Sequence, residues 1–139
     1  MPLERRKPGP EDRTRAEHII ALGREALAEF AAVDEGTFVA RRLYQTSLAW
    51  YLQAIGEAAA RISDESRGLV PAVPWRQVVG TRHILSHEYD RLLPDKLWRV
   101  LRQHLPPLVE ALEAHIHLFP AGSGAGPAHP PSSDAPPPR

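Results

Sequence analysis

The sequence lacks cysteine, an excess of charge of either sign and any long apolar run, and each absence excludes a class of protein. Without cysteine, the chain of 139 residues has no disulfide, no thiolate nucleophile and no cysteine ligand for zinc. Its 17 basic residues balance 17 acidic ones, which argues against a protein whose entire surface binds polyanions. No stretch approaches the roughly 18 apolar residues of a membrane-spanning helix, and the start lacks the apolar segment of a signal peptide. We therefore expect a cytoplasmic protein that does not bind a membrane.

Proline is abundant but unevenly distributed. Seven of the 15 prolines lie in the last 20 residues, among glycine, serine and alanine, and three more lie in the first ten residues. Such a tail has too few bulky apolar residues to fold. We predict a disordered leader over 1–10, one folded domain over 11–119 and a disordered tail over 120–139.

The folded part carries helical patterns and little sign of strands. Apolar residues recur every three or four positions over 12–33, 38–62, 75–87 and 94–119, which is the spacing of one helix face. Gly36 is interpreted as the end of the first helix and Thr37 as the N-cap of the second. Residues 67–74 contain one glycine and two prolines and are predicted to be a loop. The patterns predict an all-α, up-and-down bundle of four to five helices.

Two positions inside these patterns are expected to shape the helices. Gly56 lies in the middle of the second pattern, where glycine costs about 1 kcal/mol relative to alanine, and we predict that another helix approaches it closely. Leu105 precedes the pair Pro106 and Pro107. A residue before proline is disfavoured in α geometry, so we predict that Leu105 leaves that geometry and that the last helix is kinked or broken there.

The densest polar cluster is GTRHILSHEYDR at 80–91. On an ideal helix Arg82 and Tyr89 are about 20° apart, whereas Arg82 and His87 are about 140° apart. The latter two converge only if the helix unwinds or if a second subunit completes the site. An arginine fork matches phosphate oxygens, and a histidine can transfer protons near neutral pH. Arg82 and His87 together therefore suit metal-free cleavage of RNA. In that reaction the neighbouring 2′-hydroxyl attacks phosphorus and the arginine stabilises the developing charge.

Two other interpretations of this cluster remain open. In the first, the cluster is only the C-terminal end of a helix with a basic surface, where His87 interacts favourably with the last carbonyl groups of that helix. His83 and His87 are four residues apart and could share a metal ion, which would make the protein a metal hydrolase. Ile84, however, stands where the zinc peptidase pattern requires glutamate, so the polar cluster does not match that pattern.

The neutral total charge conceals an asymmetry. Residues 67–102 hold seven basic and three acidic residues, a net charge of +4, whereas 1–66 and 103–139 each carry −2. The positive charge thus surrounds the polar cluster and favours modest, salt-sensitive binding of RNA. The alternative is that these arginines form the solvated face of two helices.

Four stretches in fixed order carry a family resemblance: IGEAA at 55–59, VPWRQVVGTRHILSHEY at 73–89, LW at 97–98 and LP at 105–106. Together they resemble the HepT-like toxins, which belong to the HEPN group of helical RNA-cleaving domains, over about residues 17–118. The resemblance implies a homodimeric bundle whose two motif segments meet in one cleft, and a metal-independent endoribonuclease toxin that needs no cofactor. It also implies a partner, an MntA-like nucleotidyltransferase antitoxin that binds the toxin and transfers AMP to the motif tyrosine.

The resemblance also assigns roles to residues of this chain. Arg82 would bind and stabilise the scissile phosphate, His87 would transfer the proton, and Tyr89 would receive AMP. Further contacts to RNA are expected from neighbouring polar and basic side chains, namely His83, Ser86, Arg76 and Arg91. The alternative function is a non-catalytic helical module that docks a nucleotidyltransferase and is modified by it.

Overall fold

The structure, a computed structural model, describes residues 11–84 and 93–120. In these ranges the α-helices are α1 (Glu11–Glu29), α2 (Glu35–Ala40), α3 (Arg42–Ala60), α4 (Asp64–Gly68), α5 (Trp75–Gly80), α6 (Pro94–Arg99) and α7 (Leu105–His115). The 3₁₀ turns Thr81–His83 and Ile116–Leu118 follow α5 and α7, and the π-helical turn Val100–His104 joins α6 to α7. No strand occurs within the described ranges, and the prediction of an all-α fold is confirmed. The predicted leader and nearly all of the predicted tail lie outside them.

The apolar patterns predicted over 12–33, 38–62 and 94–119 supply most of the core, whereas the described part of the pattern over 75–87 has no fully buried residue. Helix α1 packs against α3 and α7. The buried side chains include these stripe positions: Ile19, Ala26, Phe30, Leu48, Tyr51, Leu52, Ile55, Ala59, Ile62, Leu97, Leu101, Leu105, Leu108, Leu112 and Phe119. Arg102 closes one end of the bundle by donating hydrogen bonds to the carbonyl oxygens of Phe30 and Val33, 2.9 and 2.8 Å away, just beyond the end of α1. None of the described helices is both long and apolar enough to cross a membrane.

The junction between the first two predicted helices differs from the sequence prediction. Asp34, not Thr37, is the N-cap of α2, because its carboxylate accepts a hydrogen bond from the Thr37 amide at 2.7 Å. Hydrogen bonds from Thr37 hold the pKa of Asp34 below its usual value. Gly36 therefore lies inside the first turn of α2 and does not end α1. A helix can begin this early since glycine tolerates helical geometry and aspartate supplies the cap.

The second predicted helix is divided in two. Arg41 has extended backbone angles, φ −120° and ψ 108°, and separates α2 from α3. The break frees carbonyl groups at the end of α2, and the buried side chain of Gln45 donates to two of them, Phe38 O at 3.2 Å and Val39 O at 2.9 Å. Because the apolar pattern continues across the break, periodicity alone could not detect it.

The predicted loop over 67–74 is shorter than expected, because its first two residues belong to α4. Ser63 caps α4 through a hydrogen bond from the Ser66 amide at 3.2 Å. The buried Asp12 of α1 in turn accepts from the Ser63 amide at 3.1 Å and the Ser66 hydroxyl at 2.7 Å. This long-range carboxylate fixes a short helix that its own five residues could not stabilise.

The predicted interruption near Leu105 is present, but the predicted conformation of Leu105 is wrong. Leu105 keeps α geometry, φ −68° and ψ −45°, and its amide donates to Val100 O, five residues back. Pro106 and Pro107 fall in the first turn of α7, where a missing amide hydrogen breaks no intrahelical bond. The irregularity is therefore displaced into the preceding π-helical turn.

Candidate functional site

Arg82 lies in the 3₁₀ turn Thr81–His83, which continues directly from α5. The indole nitrogen of Trp75, at the start of α5, donates to the carbonyl oxygens of Arg67 and Val70 at 2.9 and 3.1 Å. These bonds tie α5 to the end of α4. The half-buried Trp75 thus orients the short helix that carries Arg82.

The backbone of this turn lies directly against Gly56 in the middle of α3. A Cβ atom at Gly56 would stand 2.5 Å from the Arg82 amide nitrogen and 2.6 Å from Thr81 Oγ1. Both separations are far shorter than van der Waals contact. The prediction that Gly56 allows a close approach is confirmed, and the approaching element is the turn that carries the candidate phosphate-binding residue.

Thr81 holds the turn against α3 by hydrogen bonding. Its hydroxyl oxygen lies 2.6 Å from Leu52 O and 2.7 Å from Val78 O, and its single proton can be donated to one of them at a time. The first bond connects the turn to α3, and the second closes the last turn of α5. Sequence analysis missed this role, although a threonine directly before Arg82 and a glycine in the facing helix were the available signals.

The side chains of Arg82 and His83 are both exposed and contact each other. Arg82 Nε donates to His83 Nε2 at 3.0 Å, which requires that this histidine nitrogen be unprotonated. Among the described residues Arg82 forms no ion pair. Within 11–84 and 93–120, no carboxylate pairs with its terminal guanidinium nitrogens, and a guanidinium is the kind of group that binds an anion such as a phosphate.

The other predicted site residues are placed only in part. Arg76 is exposed on α5. His87, Tyr89, Ser86 and Arg91 lie outside the described residues. The convergence of Arg82 with His87 therefore stays a prediction, as does the pairing of His83 with His87 on a metal ion.

The basic segment 67–102 contains arginines with structural roles. Arg67 donates to Ala59 O at 3.0 Å, and Arg102 caps the end of α1 while its guanidinium stacks on Trp98 at 4.4 Å. Apart from Arg102, the exposed basic residues of this segment that form no ion pair with a described residue are Arg76, Arg82, Lys96 and Arg99. The positive charge that a ligand can contact is thus smaller than the net charge of the segment. Exposed basic residues nevertheless lie on both sides of the polar cluster along the chain.

The described residues 11–84 and 93–120 contain no group of three His, Asp or Glu side chains placed to hold a metal ion. A cavity of about 450 Å³ does lie beside the Arg82 turn, with Thr81 in its wall. The other walls come from α3, residues 72–74, the middle of α5, the π-helical turn and α7. Sequence analysis did not predict this cavity, and the proline pair behind the π-helical turn was the feature that could have signalled it.

The family model described as "Ribonuclease HepT-like" matches residues 23–115, which include Gly56, the Arg82 turn and the π-helical turn. The chain therefore belongs to the HepT-like ribonuclease family.

Relatives from three organisms are similar to parts of the chain. A protein of Methanocaldococcus jannaschii that is named as an RNase is 30% identical over 81 residues, 58% of this chain and 74% of the relative. A protein of Thermococcus cleftensis named as a ribonuclease HepT is 33% identical over 57 residues, 41% and 52% of the two chains. A protein of Caldanaerobacter subterraneus named as an RNase is 26% identical over 92 residues, 66% and 82%. No solved structure matches the chain.

Proposed function

We propose that this ribonuclease is the toxin of a toxin–antitoxin pair and cleaves RNA without a metal ion. The observation that carries the proposal is the Arg82 turn, fixed against Gly56 with an exposed guanidinium that has no carboxylate partner among the described residues. An arginine whose backbone is held beside a cavity, and which has no carboxylate partner within 11–84 and 93–120, is suited to hold a phosphodiester. The same proposal assigns the protein and its RNA substrate to the cytoplasm.

The proposed reaction needs only groups of the chain, the RNA itself and solvent water. His87 takes the proton of the 2′-hydroxyl, the 2′-oxygen bonds to phosphorus, and the bond from phosphorus to the 5′-oxygen breaks. The leaving 5′-oxygen takes a proton from solvent water and protonated His87 releases its proton to solvent, which yields a 2′,3′-cyclic phosphate, a free 5′-hydroxyl and the original state of the enzyme. Arg82 stabilises the negative charge that grows on the phosphate oxygens.

Cleavage of RNA by the purified full chain in a chelating buffer tests this mechanism. We expect the wild type to cut, and His87→Ala and Arg82→Ala each to lose at least about 100-fold in rate while circular dichroism shows an intact helical fold. Arg13→Ala is the matched control, because it removes one arginine of α1 whose partner is Glu17. Full cutting by His87→Ala, or cutting only after a divalent metal is added, would contradict the proposed mechanism.

We propose that a second copy of the chain completes the site. Leu43 and Trp50 are 77% and 55% exposed and lie seven residues apart on α3, so they share one helix face within about 20°. Large exposed apolar side chains grouped on one face favour a protein contact. We expect light scattering to give a dimer for the wild type and a monomer with reduced cleavage for Leu43→Glu and Trp50→Glu. A wild type that is monomeric and active would exclude a shared site.

The proposed antitoxin is an MntA-like nucleotidyltransferase that neutralises the toxin by binding it and by transferring AMP to Tyr89. Mixing the chain with that partner and ATP should add the mass of one AMP group to the wild type and none to Tyr89→Phe. Modified protein should cleave RNA more slowly than unmodified protein. The alternative, a module that only docks the transferase, predicts modification of a chain that never cleaves RNA.

A further inference from the structure

The cavity beside the Arg82 turn has the size and wall chemistry of a small-molecule site. Its volume of about 450 Å³ falls in the range of roughly 300–1,000 Å³ that is typical of ligand pockets. The walls are mostly apolar, with Leu52 and Ile55 from α3 and Leu108 from α7. Such a site takes a ligand with flat or apolar surfaces and few polar atoms.

Four polar residues interrupt the apolar wall, and one of them is Thr81 of the Arg82 turn. Gln77 reaches it from α5, while Gln103 and His104 reach it from the π-helical turn. Each glutamine amide offers both a donor and an acceptor, and a neutral imidazole offers one of each. The described wall contains no Asp, Glu, Lys or Arg. An uncharged ligand with hydrogen-bonding edges fits these groups, whereas a phosphate does not.

The π-helical turn brings two of these polar residues, Gln103 and His104, to the cavity. Its register places Val100, Gln103 and His104 on the same wall. Behind it, Pro106 and Pro107 have no amide hydrogen to donate to the carbonyl groups of Arg102 and Gln103, four residues back. Single π-helical turns within α-helices are frequent at functional sites. The irregular helix is thus a second feature, independent of volume, that marks this wall as a binding surface.

The position of the cavity relates it to the candidate phosphate site. Thr81 contributes to its wall, and the next residue is Arg82. The backbone of Arg82 therefore lies next to the cavity wall, although Arg82 itself is not one of the lining residues. In single-stranded RNA the base is the uncharged, planar part with hydrogen-bonding edges, and proteins read it when it is turned out of the stack.

We propose that this cavity binds one nucleobase next to the scissile phosphate and gives the enzyme a base preference at its cleavage site. The amides of Gln77 and Gln103 read the edge of the base, and the apolar walls cover its faces. This inference rests on the proposed RNA cleavage, because it assigns the neighbouring subsite of the same site.

The first test is the base composition around cut sites in a single-stranded RNA of random sequence. We expect the wild type to prefer one base at one position beside the cut by at least about fivefold. Gln77→Ala and Gln103→Ala should reduce that preference while the RNA is still cut. Ala111→Phe should abolish it by filling the cavity, since Ala111 lies in the wall. Ala114→Phe makes the same change at an exposed position of α7 and should keep the preference.

A second test does not depend on cleavage. The full-length His87→Ala variant is titrated with each of the four ribonucleoside 5′-monophosphates, and amide chemical shifts are followed by NMR. One nucleotide should bind more tightly than the others, and addition of Ala111→Phe, but not of Ala114→Phe, should abolish its binding.

The two tests separate failure of this inference from failure of the proposed function. Cleavage whose base preference is unchanged in Ala111→Phe would overturn the base pocket and leave the ribonuclease mechanism standing. Selective nucleotide binding by His87→Ala, together with a wild type that does not cleave RNA, would support the pocket and contradict the mechanism. If Ala111→Phe alters the oligomeric state and leaves base preference intact, the cavity is a protein interface and the inference is wrong.

Discussion

Two glycines mark close contacts in different regions of the molecule. Gly23 lies on α1 in the core, where a Cβ atom would collide with the Cγ2 methyl group of Val109 on α7. Gly56 lies on α3, where a Cβ atom would collide with the backbone nitrogen of Arg82 and with Thr81. At the first contact a side chain of α7 packs against the backbone of α1, whereas at the second the backbone of a turn packs against the backbone of α3.

The surroundings of the two contacts differ as well. Seven residues of α1 and nine of α3 are buried. In contrast, neither the six residues of α5 nor the 3₁₀ turn after it includes a buried residue. The Arg82 turn is thus positioned by a backbone contact, a few hydrogen bonds and partly buried apolar side chains such as Val78 and Ile84, without any fully buried side chain of its own. This arrangement fixes the turn and still leaves the guanidinium and imidazole in solvent, where a substrate can reach them.

The largest effect is expected from Gly56→Ala. Overpacking costs about 1–3 kcal/mol, offset in part by about 1 kcal/mol from the better helix propensity of alanine. Because the colliding atom belongs to the backbone, the turn itself must move. A displacement of about 1 Å at a reacting group can reduce a rate about 100-fold, so RNA cleavage should fall far more than stability does.

Cleavage rate per folded molecule, with the folded fraction taken from urea unfolding, measures the effect of Gly56→Ala. The salt dependence of RNA affinity in the double variant Gly56→Ala, His87→Ala, which leaves the RNA uncut, gives a second measure of whether Arg82 is displaced. A folded Gly56→Ala enzyme with the wild-type rate would show that the contact does not position the site.

The next effect is that of Gly23→Ala, the same substitution in the core region. The added methyl group meets the side chain of Val109, a β-branched residue with little rotamer freedom in a helix, so we expect a loss of about 1–3 kcal/mol in the free energy of unfolding. The rate per folded molecule should be unchanged since the Arg82 turn is not touched. Equal losses of activity in the two glycine variants would remove the distinction between the two regions.

The helices could be predicted from the sequence wherever one apolar face carried the information. The stripes through Ile19 and Phe30, through Leu52 and Ile55, and through Leu108 are all buried as expected. The break at Arg41 could not be predicted, because it depends on a polar contact by Gln45 that leaves the apolar pattern unchanged. Likewise, the helix α4 depends on Asp12, a residue about 50 positions away in the sequence.

The candidate site was predicted by residue type more fully than by geometry. The motif pointed to Arg82 and a mid-helix glycine pointed to a close contact, but nothing in the sequence showed that Gly56 and Arg82 belong to one contact. That knowledge requires the packing of α5 on α3. The base pocket depends on the π-helical turn, whose register follows from the competition between two prolines and the core position of Leu105.

Thr81→Val gives a smaller effect within the site region. Valine keeps the shape of threonine and removes the hydroxyl that bridges to Leu52 O, so we expect a loss of about 1 kcal/mol in stability. Cleavage should fall by a larger factor than that loss explains because the turn loses its bond to α3. Thr81→Ser, which retains the hydroxyl, should recover most of the rate; equal rates in the valine and serine variants would assign the residue a packing role only.

Tyr51 provides a small, pH-dependent effect in the core region. Hydrogen bonds with Glu29 and Glu25 and burial raise the pKa of its hydroxyl above the usual value. The stability from this group is therefore present below pH ~10, where unfolded tyrosine titrates, and is lost as pH rises through the folded pKa. The stability difference between wild type and Tyr51→Phe, measured by urea unfolding, should shrink from pH ~9 to pH ~11. A constant difference would contradict this linkage.

The smallest effect is expected from Gly80→Ala, which separates glycine chemistry from glycine position. Gly80 ends α5, two residues before Arg82, yet a Cβ atom there would meet nothing within 4 Å. Its backbone angles, φ −59° and ψ −26°, suit alanine, so the folded state should gain up to about 1 kcal/mol from the lower entropy of the unfolded chain. RNA cleavage should stay at the wild-type rate. A large loss of cleavage here would mean that any change near the turn disturbs the site, and the effect of Gly56→Ala could no longer be assigned to its contact with Arg82.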